Sequence, residues 1–336
     1  MIPVQNIYYM LSYAFQVLNE QGYKNIATEY FPNTAELMAA ILEKGIAVQL
    51  KRGLGKEYIP QTEALSSLRG KVDIAESIKT QAMLRKQLIC TYDEFSVNCS
   101  MNRIIKSTVE LLLHSNISKQ RKKNLRKLMV YFSEVDFIDL HTVNWHVQYN
   151  RNNQTYRMLI SICYLVVKGL LQTQSDGSIK LMDFLDEQRT CRLYEKFILE
   201  YYRKEFKNQL TANASQIRWQ LDDEENSMLP VMQSDIMLQC GDRVLIIDAK
   251  YYEHSMQVQF DKHTLHSGNL YQIFTYVKNK EYELRDKEHT VSGMLLYAKT
   301  DEEVYPNNVY QMSGNQITVR TLDLNLPFDE IAAQLN

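Results

Sequence analysis

The chain has 336 residues, 45% of them apolar, which is more than one hydrophobic core usually organises and enough to bury two. Its 38 lysines and arginines face 40 aspartates and glutamates, so a protein that coats nucleic acid through bulk positive charge is excluded and any contact with a polyanion must be local. Five cysteines (Cys90, Cys99, Cys163, Cys191 and Cys240) are odd in number and lack CxxC spacing, which argues against a disulfide framework and against a zinc ribbon.

In chain order, helical apolar spacing covers Asn6 to Leu18 and again about Thr34 to Leu50, and both amphipathic helices need a core to pack on. Strand-like pieces at Tyr58 to Thr62 and Lys71 to Ile74, then a helix from Met101 to Leu113, make the first half a mixed α and β domain. Lys119-Gln120-Arg121-Lys122-Lys123-Asn124-Leu125-Arg126-Lys127 is a basic helix whose charges either meet phosphates or form a solvated face. The polar interruption Asn150 to Asn153 predicts a boundary between domains 1–150 and 151–336. A helix from Arg157 to Leu171 opens the second half. Its apolar run, from Met158, is broken by Lys168 and falls short of a membrane span; with no basic-then-apolar signal at the start, a cytoplasmic protein without a membrane partner is expected. Next come a helix opened by Leu193-Tyr194-Glu195-Lys196-Phe197, an acidic loop Asp222-Asp223-Glu224-Glu225 and a hairpin around Gly241-Asp242. A loop at His263-Thr264-Leu265-His266, a helix Gly268 to Tyr276 and a strand Gly293 to Lys299 extending the hairpin's sheet complete the reading.

The hairpin carries the chemistry. Gly241-Asp242 has the Gly-X form of a two-residue II′ turn, so Cys240 pairs with Arg243, and counting outward sets Asp235 opposite Asp248. Alternation along the strand then brings Lys250 to the same face. Residues directly opposed have β-carbons roughly 5 Å apart, where two carboxylates repel unless something compensates them. Ile236, Leu238, Leu245 and Ile247 on one face, and Met237, Val244 and Ile246 on the other, are apolar, so these charges sit in otherwise buried surroundings. A divalent cation is the natural compensation, and a pair of carboxylates completed by water and phosphate describes magnesium better than zinc. Lys250 would orient or help deprotonate a water, or stabilise charge developing on a phosphate. A second acidic-x-Lys tripeptide, Glu205-Phe206-Lys207, lies in a stretch of helical spacing and is set aside. Glu195 supplies a further carboxylate or pairs with Lys196 or Lys204; Gln272 and Tyr276 share a helix face at i and i+4, suited to a DNA backbone, to the attacking water or, for Tyr276, to core packing.

With these residues in place, the chain resembles the McrC family, the nuclease subunit of McrBC-type 5-methylcytosine restriction systems in the PD-(D/E)xK superfamily. The resemblance runs through nearly the whole chain: Ile2-Pro3-Val4-Gln5-Asn6-Ile7-Tyr8-Tyr9-Met10-Leu11, Leu68-Arg69-Gly70-Lys71-Val72-Asp73, Asn102-Arg103-Ile104-Ile105-Lys106-Ser107-Thr108, Asp248-Ala249-Lys250-Tyr251-Tyr252 and Asn269-Leu270-Tyr271-Gln272. It implies an α/β (α+β) protein whose second domain has a central mixed sheet flanked by helices. Asp235 and Asp248 would be the metal-binding carboxylates, Lys250 the catalytic lysine, and Glu195 and Gln272 less specific members of the site. Ser234 precedes the first aspartate and Pro230 lies upstream, a departure from a literal Pro-Asp pair.

Arg52-Gly53-Leu54-Gly55-Lys56-Glu57 lacks the glycine spacing and the Ser or Thr of a phosphate loop, so this chain is not expected to hydrolyse nucleotide. The resemblance supplies an McrB-like GTP-hydrolysing ring ATPase-fold partner that binds the GTP, reads double-stranded DNA carrying modified cytosine, and is engaged and stimulated by residues 1–150. Two other functions fit the same residues: a GTPase-activating interaction subunit with an inactive nuclease centre, and a stand-alone repair nuclease, which leaves the large amino-terminal half without a use.

Overall fold

The computed structural model describes residues 2–19, 23, 26, 29–145, 147–149, 153, 155–176, 187–223, 228–252, 257–259, 262–299 and 305–336. Residues 150–152 of the expected boundary, and Glu224 and Glu225 of the acidic run, lie outside them. The chain divides into two compact units, Thr28–Phe184 and a discontinuous one made of Met1–Ala27 with Leu185–Asn336. This departs from the division at 150 at both ends, and named side chains explain why.

The first helix, α1 (Val4–Ala14), belongs to the discontinuous unit. Its Asn6 amide donates to the carbonyls of Leu324 and Leu326, both at 2.8 Å. Tyr9 stacks on Phe328 with centroids 4.5 Å apart, Tyr13 packs edge-on against Phe197, and the Tyr13 hydroxyl donates to Glu205 at 2.8 Å. Aromatic contacts and a buried amide of this kind outweigh sequence distance, because leaving Asn6 unbonded when buried would cost about 1–3 kcal/mol.

The unit Thr28–Phe184 contains α2 (Thr34–Arg52), β1 (Glu57–Leu65), β2 (Lys71–Asp73), α3 (Ile74–Lys79), β3 (Leu88–Ser96), α4 (Ser100–His114), α5 (Lys119–Met129) and α6 (Tyr156–Asp176). Asn33 caps α2 by accepting from the Glu36 amide, and Ser118 caps α5 by accepting from the Arg121 amide. The strands form an antiparallel sheet in the order β1-β3-β2, so this unit is mixed α and β as expected. Tyr156 holds α6 here: its hydroxyl donates to Asn102 Oδ1 and accepts from the Gly55 amide, each at 2.7 Å. Gly55 is therefore a structural joint. Its carbonyl accepts from Asn102 Nδ2 at 2.9 Å, and an added β-carbon would meet the Tyr156 ring at 3.0–3.2 Å.

In the discontinuous unit, α1 is followed by α7 (Glu187–Glu205), β4 (Thr211–Asn213), a pair β5 (Gln216–Ile217) and β6 (Met232–Gln233), β7 (Ile236–Cys240), β8 (Arg243–Lys250) and a small ribbon of β9 (Gln257–Gln259) and β10 (Lys262–Thr264). His263 and Thr264 are thus strand residues where the sequence suggested a loop. Then come α8 (Ser267–Glu283), β11 (Thr290–Ala298), β12 (Asn308–Met312), β13 (Asn315–Leu322) and α9 (Phe328–Leu335). Six strands make one mixed sheet, β12-β13-β11-β8-β7-β4, in which β8, β11 and β13 run parallel and the other neighbours antiparallel. The parallel pair β8 and β11 needs a crossover, and α8 provides it. Ile273 and Val277 of α8 pack on Met237, Val244, Ile246, Leu295, Tyr297, Ile317 and Val319, one face of the sheet. Gly293 of β11 permits that approach, since a β-carbon there would lie 2.8–2.9 Å from Ile273, Ile317 and Val277. Gly293→Val, although favourable to a strand, is expected to destabilise the protein by about 1–3 kcal/mol through overpacking. A urea midpoint equal to that of the wild type would contradict this packing.

Candidate metal centre

The site begins at a turn. Gly241 has φ 61 while Asp242 is not among the positive-φ residues, the combination that separates a II′ turn from I′. The ladder runs from Cys240 opposite Arg243 to Ile236 opposite Ile247, and Asp235 follows as the next residue, facing Asp248. Its carboxylate Oδ2 accepts from the Ala249 amide at 2.9 Å, fixing it against β8. Ser234, where a literal Pro-Asp pair would place proline, is fully buried and bonded to the Ser215 backbone through its own amide (3.0 Å) and hydroxyl (3.1 Å). A hydrogen-bonded serine thereby gives the chain before Asp235 the rigidity that a proline would give by fixing φ.

Asp248 is 1% exposed and Lys250 Nζ lies 2.8 Å from its Oδ2. That distance makes an ion pair, yet no donor among the described residues is aligned on this buried oxygen as a hydrogen bond. Burial raises the pKa of Asp235, and the neighbouring charges of Asp248 and then Glu195 add to the rise, so that it is pushed up to about 8 against the opposing pull of Lys250 and the Ala249 amide. Burial also raises Asp248, opposed by the charge of Lys250 and by the neighbouring carboxyl of Asp235. The pair as a whole keeps one proton well into the neutral range. For Lys250, burial works against the ammonium, but Asp248 and then Asp235 overcome it and hold the pKa above the usual lysine value.

Gln272 meets this cluster from α8. Its Oε1 accepts from Lys250 Nζ at 3.3 Å and its Nε2 donates to the Tyr276 hydroxyl at 3.0 Å, so the i, i+4 pair is engaged in holding the lysine. Glu195 on α7 acts on Asp235 through its charge, and among the described residues no group of three or more His, Cys, Asp or Glu side chains is placed to hold a metal. The Glu195 Oε1 accepts from the Cys191 thiol at 3.0 Å, and Cys191 also reaches the Ala249 carbonyl at 3.6 Å. Burial, followed by the hydrogen bond and charge of Glu195, pushes that thiol up to about 12, so it stays protonated and donates.

Tyr252, Asn269 and Tyr297, none of them a candidate on sequence grounds, form a polar chain beside the site. Tyr252 donates to Asn269 Oδ1 at 3.2 Å and Asn269 Nδ2 donates to the Tyr297 hydroxyl at 2.9 Å, with Tyr297 opposite Lys250 in the parallel ladder. Two signals were available: Tyr252 lies two residues beyond Lys250, and Asn269 lies one turn before Gln272. A buried carboxylate with an unaligned oxygen and a half-buried one retaining a proton fit a hard divalent cation that keeps several waters, and do not fit the four-ligand set of structural zinc.

The family model described as McrBC 5-methylcytosine restriction system component matches residues 4–298. The chain is 30% identical over 331 residues to the Type IV methyl-directed restriction enzyme EcoKMcrBC of Escherichia coli, covering 96% of this chain and 93% of that one. Among solved structures, it aligns with a half-complex from a tetradecameric assembly of Thermococcus gammatolerans McrB AAA+ hexamers with bound McrC at TM-score 0.47 and 17% identity, covering 99% of this chain and 74% of that chain. A second alignment, to the Thermococcus gammatolerans McrBC complex, has TM-score 0.42 and 20% identity over 61% of this chain and 59% of the other.

The pKa of Asp235 predicts a pH effect whose sign is fixed. The folded state holds a proton up to about pH 8 that the unfolded chain releases near 3.8, so this group's contribution is fully present below 3.8 and is lost as pH rises through 8. In metal-free buffer, Asp235→Asn should therefore melt several degrees above the wild type at pH 8 or higher, with the difference closing near pH 4. A pH-independent difference would contradict the proton retained at Asp235.

Proposed function

The chain belongs to the McrBC 5-methylcytosine restriction system component family, and from that premise we propose that it is the DNA-cleaving subunit of a modification-dependent restriction system, built on a PD-(D/E)xK centre. The single observation that carries this reading is the opposed pair of half-buried Asp235 and buried Asp248 with Lys250 beside them. Asp235 and Asp248 would hold magnesium, which when bound polarises a phosphodiester and lowers the pKa of a coordinated water. Asp235 must lose its retained proton to do so, and the surrounding apolar strands exclude competing water. Lys250 is held as an ammonium, so its role is to stabilise charge developing on the phosphate, and deprotonation of the water falls to another base. Gln272 positions Lys250, and Tyr276 positions Gln272. Glu195, kept in place by the Cys191 thiol, contributes field at Asp235 without ligating.

The unit Thr28–Phe184 exposes Leu68, Ile74, Ile78, Met83 and Leu84, each 54% exposed or more. So many apolar side chains within seventeen residues support the assignment of partner contact to this part of the chain. The partner in this reading is an McrB-like ring that hydrolyses GTP, is stimulated by this chain, and delivers double-stranded DNA carrying 5-methylcytosine. No helix among the described residues is long and apolar enough to cross a membrane, and a cytoplasmic site of action accompanies this function.

Plasmid cleavage tests the reading. With magnesium, GTP and the partner, Asp248→Ala and Asp235→Ala should lose at least about 100-fold in cutting rate, while both still bind the partner and stimulate its GTP hydrolysis. Gln272→Ala should lose less, because Lys250 keeps its pairing with Asp248. Undiminished cutting by Asp248→Ala would remove the site assignment; cutting by the wild type alone would indicate a self-sufficient nuclease, and GTP turnover without any cutting a regulatory subunit.

A further inference from the structure

Helix α5 has an inner and an outer face of opposite electrostatic character. On the inner face, Arg121 is ringed by three carboxylates: it pairs with Glu36 at 3.2 Å, with Glu43 at 2.9 Å, and with Glu29. Asn124 donates to Glu43 at 2.9 Å and Leu125 is fully buried. At roughly 100° per residue, Lys119, Lys122, Lys123, Arg126 and Lys127 all fall in a sector of about 140° on the other side. None of these five side chains makes an ion pair or hydrogen bond among the described residues. The first turn holds no acidic residue, so Lys119 and Lys122 stand at the positive end of the helix dipole, where cations are disfavoured. In a chain of net charge −2, five unneutralised cations along about 12 Å of helix form a concentration that its own carboxylates leave uncompensated.

We propose that this outer face of α5 docks the phosphate backbone of duplex DNA. Phosphates recur along one strand at about 3.4 Å of helix axis, so a row of cations 12 Å long spans several of them. The composition selects DNA over an acidic protein surface: four of the five are lysines, which are depleted at protein interfaces, and within Lys119–Met129 no apolar side chain falls in the sector, exposed Val130 lying only past its end. The choice of polyanion rests on the DNA-cleaving reading. The contact is sequence-independent, so it contributes hold on the duplex while recognition of the modified base is left elsewhere.

The test is fluorescence anisotropy of a labelled duplex of about 30 base pairs, unmethylated, with the full chain in EDTA between roughly 50 and 200 mM salt. The combined variant Lys119→Gln, Lys123→Gln, Arg126→Gln and Lys127→Gln alters only exposed side chains and should melt as the wild type does. Its plot of log affinity against log salt should be shallower by up to about 3.6, at about 0.9 per lost contact, whereas Asp248→Ala should keep the wild-type slope. Should the combined variant lack a cooperative melt, Lys123→Gln alone is expected to reduce the slope by about 0.9. An unchanged slope in the folded variant overturns the inference, as does a variant that binds DNA normally but no longer stimulates the partner's GTP hydrolysis, which would assign the face to an acidic protein surface. If the wild type never cuts DNA yet binds it with an α5-dependent slope, the nuclease reading fails and this inference stands.

Discussion

Two carboxylates directly opposed on a buried face of a sheet are an arrangement that a protein does not keep for stability, and much of the carboxy-terminal part of this molecule is arranged around Asp235 and Asp248. Their separation is dictated by strand pairing, their burial by the apolar residues on either side, and their mutual repulsion follows from both. Without a cation the protein answers in two ways: the pair retains a proton, and Lys250 is drawn to 2.8 Å from Asp248. Neither answer is complete, since one oxygen of Asp248 has no aligned donor. In the proposed function, a divalent ion bound between the two carboxylates would relieve this residual imbalance.

Register is the means by which the fold imposes this. A slip of one residue between β7 and β8 would send Asp235 to the opposite face, and Gly241 at positive φ is the element that fixes the count. Ser234, clamped to Ser215, holds the strand entry, and the Ala249 amide holds the carboxylate itself. Behind the pair, the parallel strands β11 and β13 bury the sheet, and Gly293 lets α8 approach closely enough for Gln272 to reach Lys250. The same helix supplies Asn269, so one element bonds both the lysine and the tyrosine, Tyr297, that faces it across the ladder.

The hairpin was legible because it is local: a two-residue turn and alternation with period two fix which side chains meet, and the structure has the predicted pairing from Cys240 opposite Arg243 outward. The helices carrying Glu195 and Gln272 were legible for the same reason. Contacts spanning hundreds of residues were not. Nothing near Asn6 indicates that its amide will bond Leu324 and Leu326, so the grouping of α1 with residues 185–336 was not legible, and the role of Tyr156 in tying α6 to Asn102 and Gly55 likewise depends on residues far upstream. Edge strands such as β12, with an exposed and weakly alternating pattern, also escaped notice because half-buried periodicity is the signal for a strand. At the site, the contact of Glu195 with the Cys191 thiol one turn away was not legible, because a thiol is a weak donor that leaves no charge pattern in the sequence.

The central claim is that the opposed carboxylates form a divalent-cation site, and crystals grown with manganese test it most directly through anomalous scattering. The account predicts a single strong peak within coordination distance of oxygens from both Asp235 and Asp248, absent from crystals of Asp248→Ala under the same conditions. A wild-type map with no peak between the two carboxylates, at a manganese concentration that supports cleavage, would contradict it.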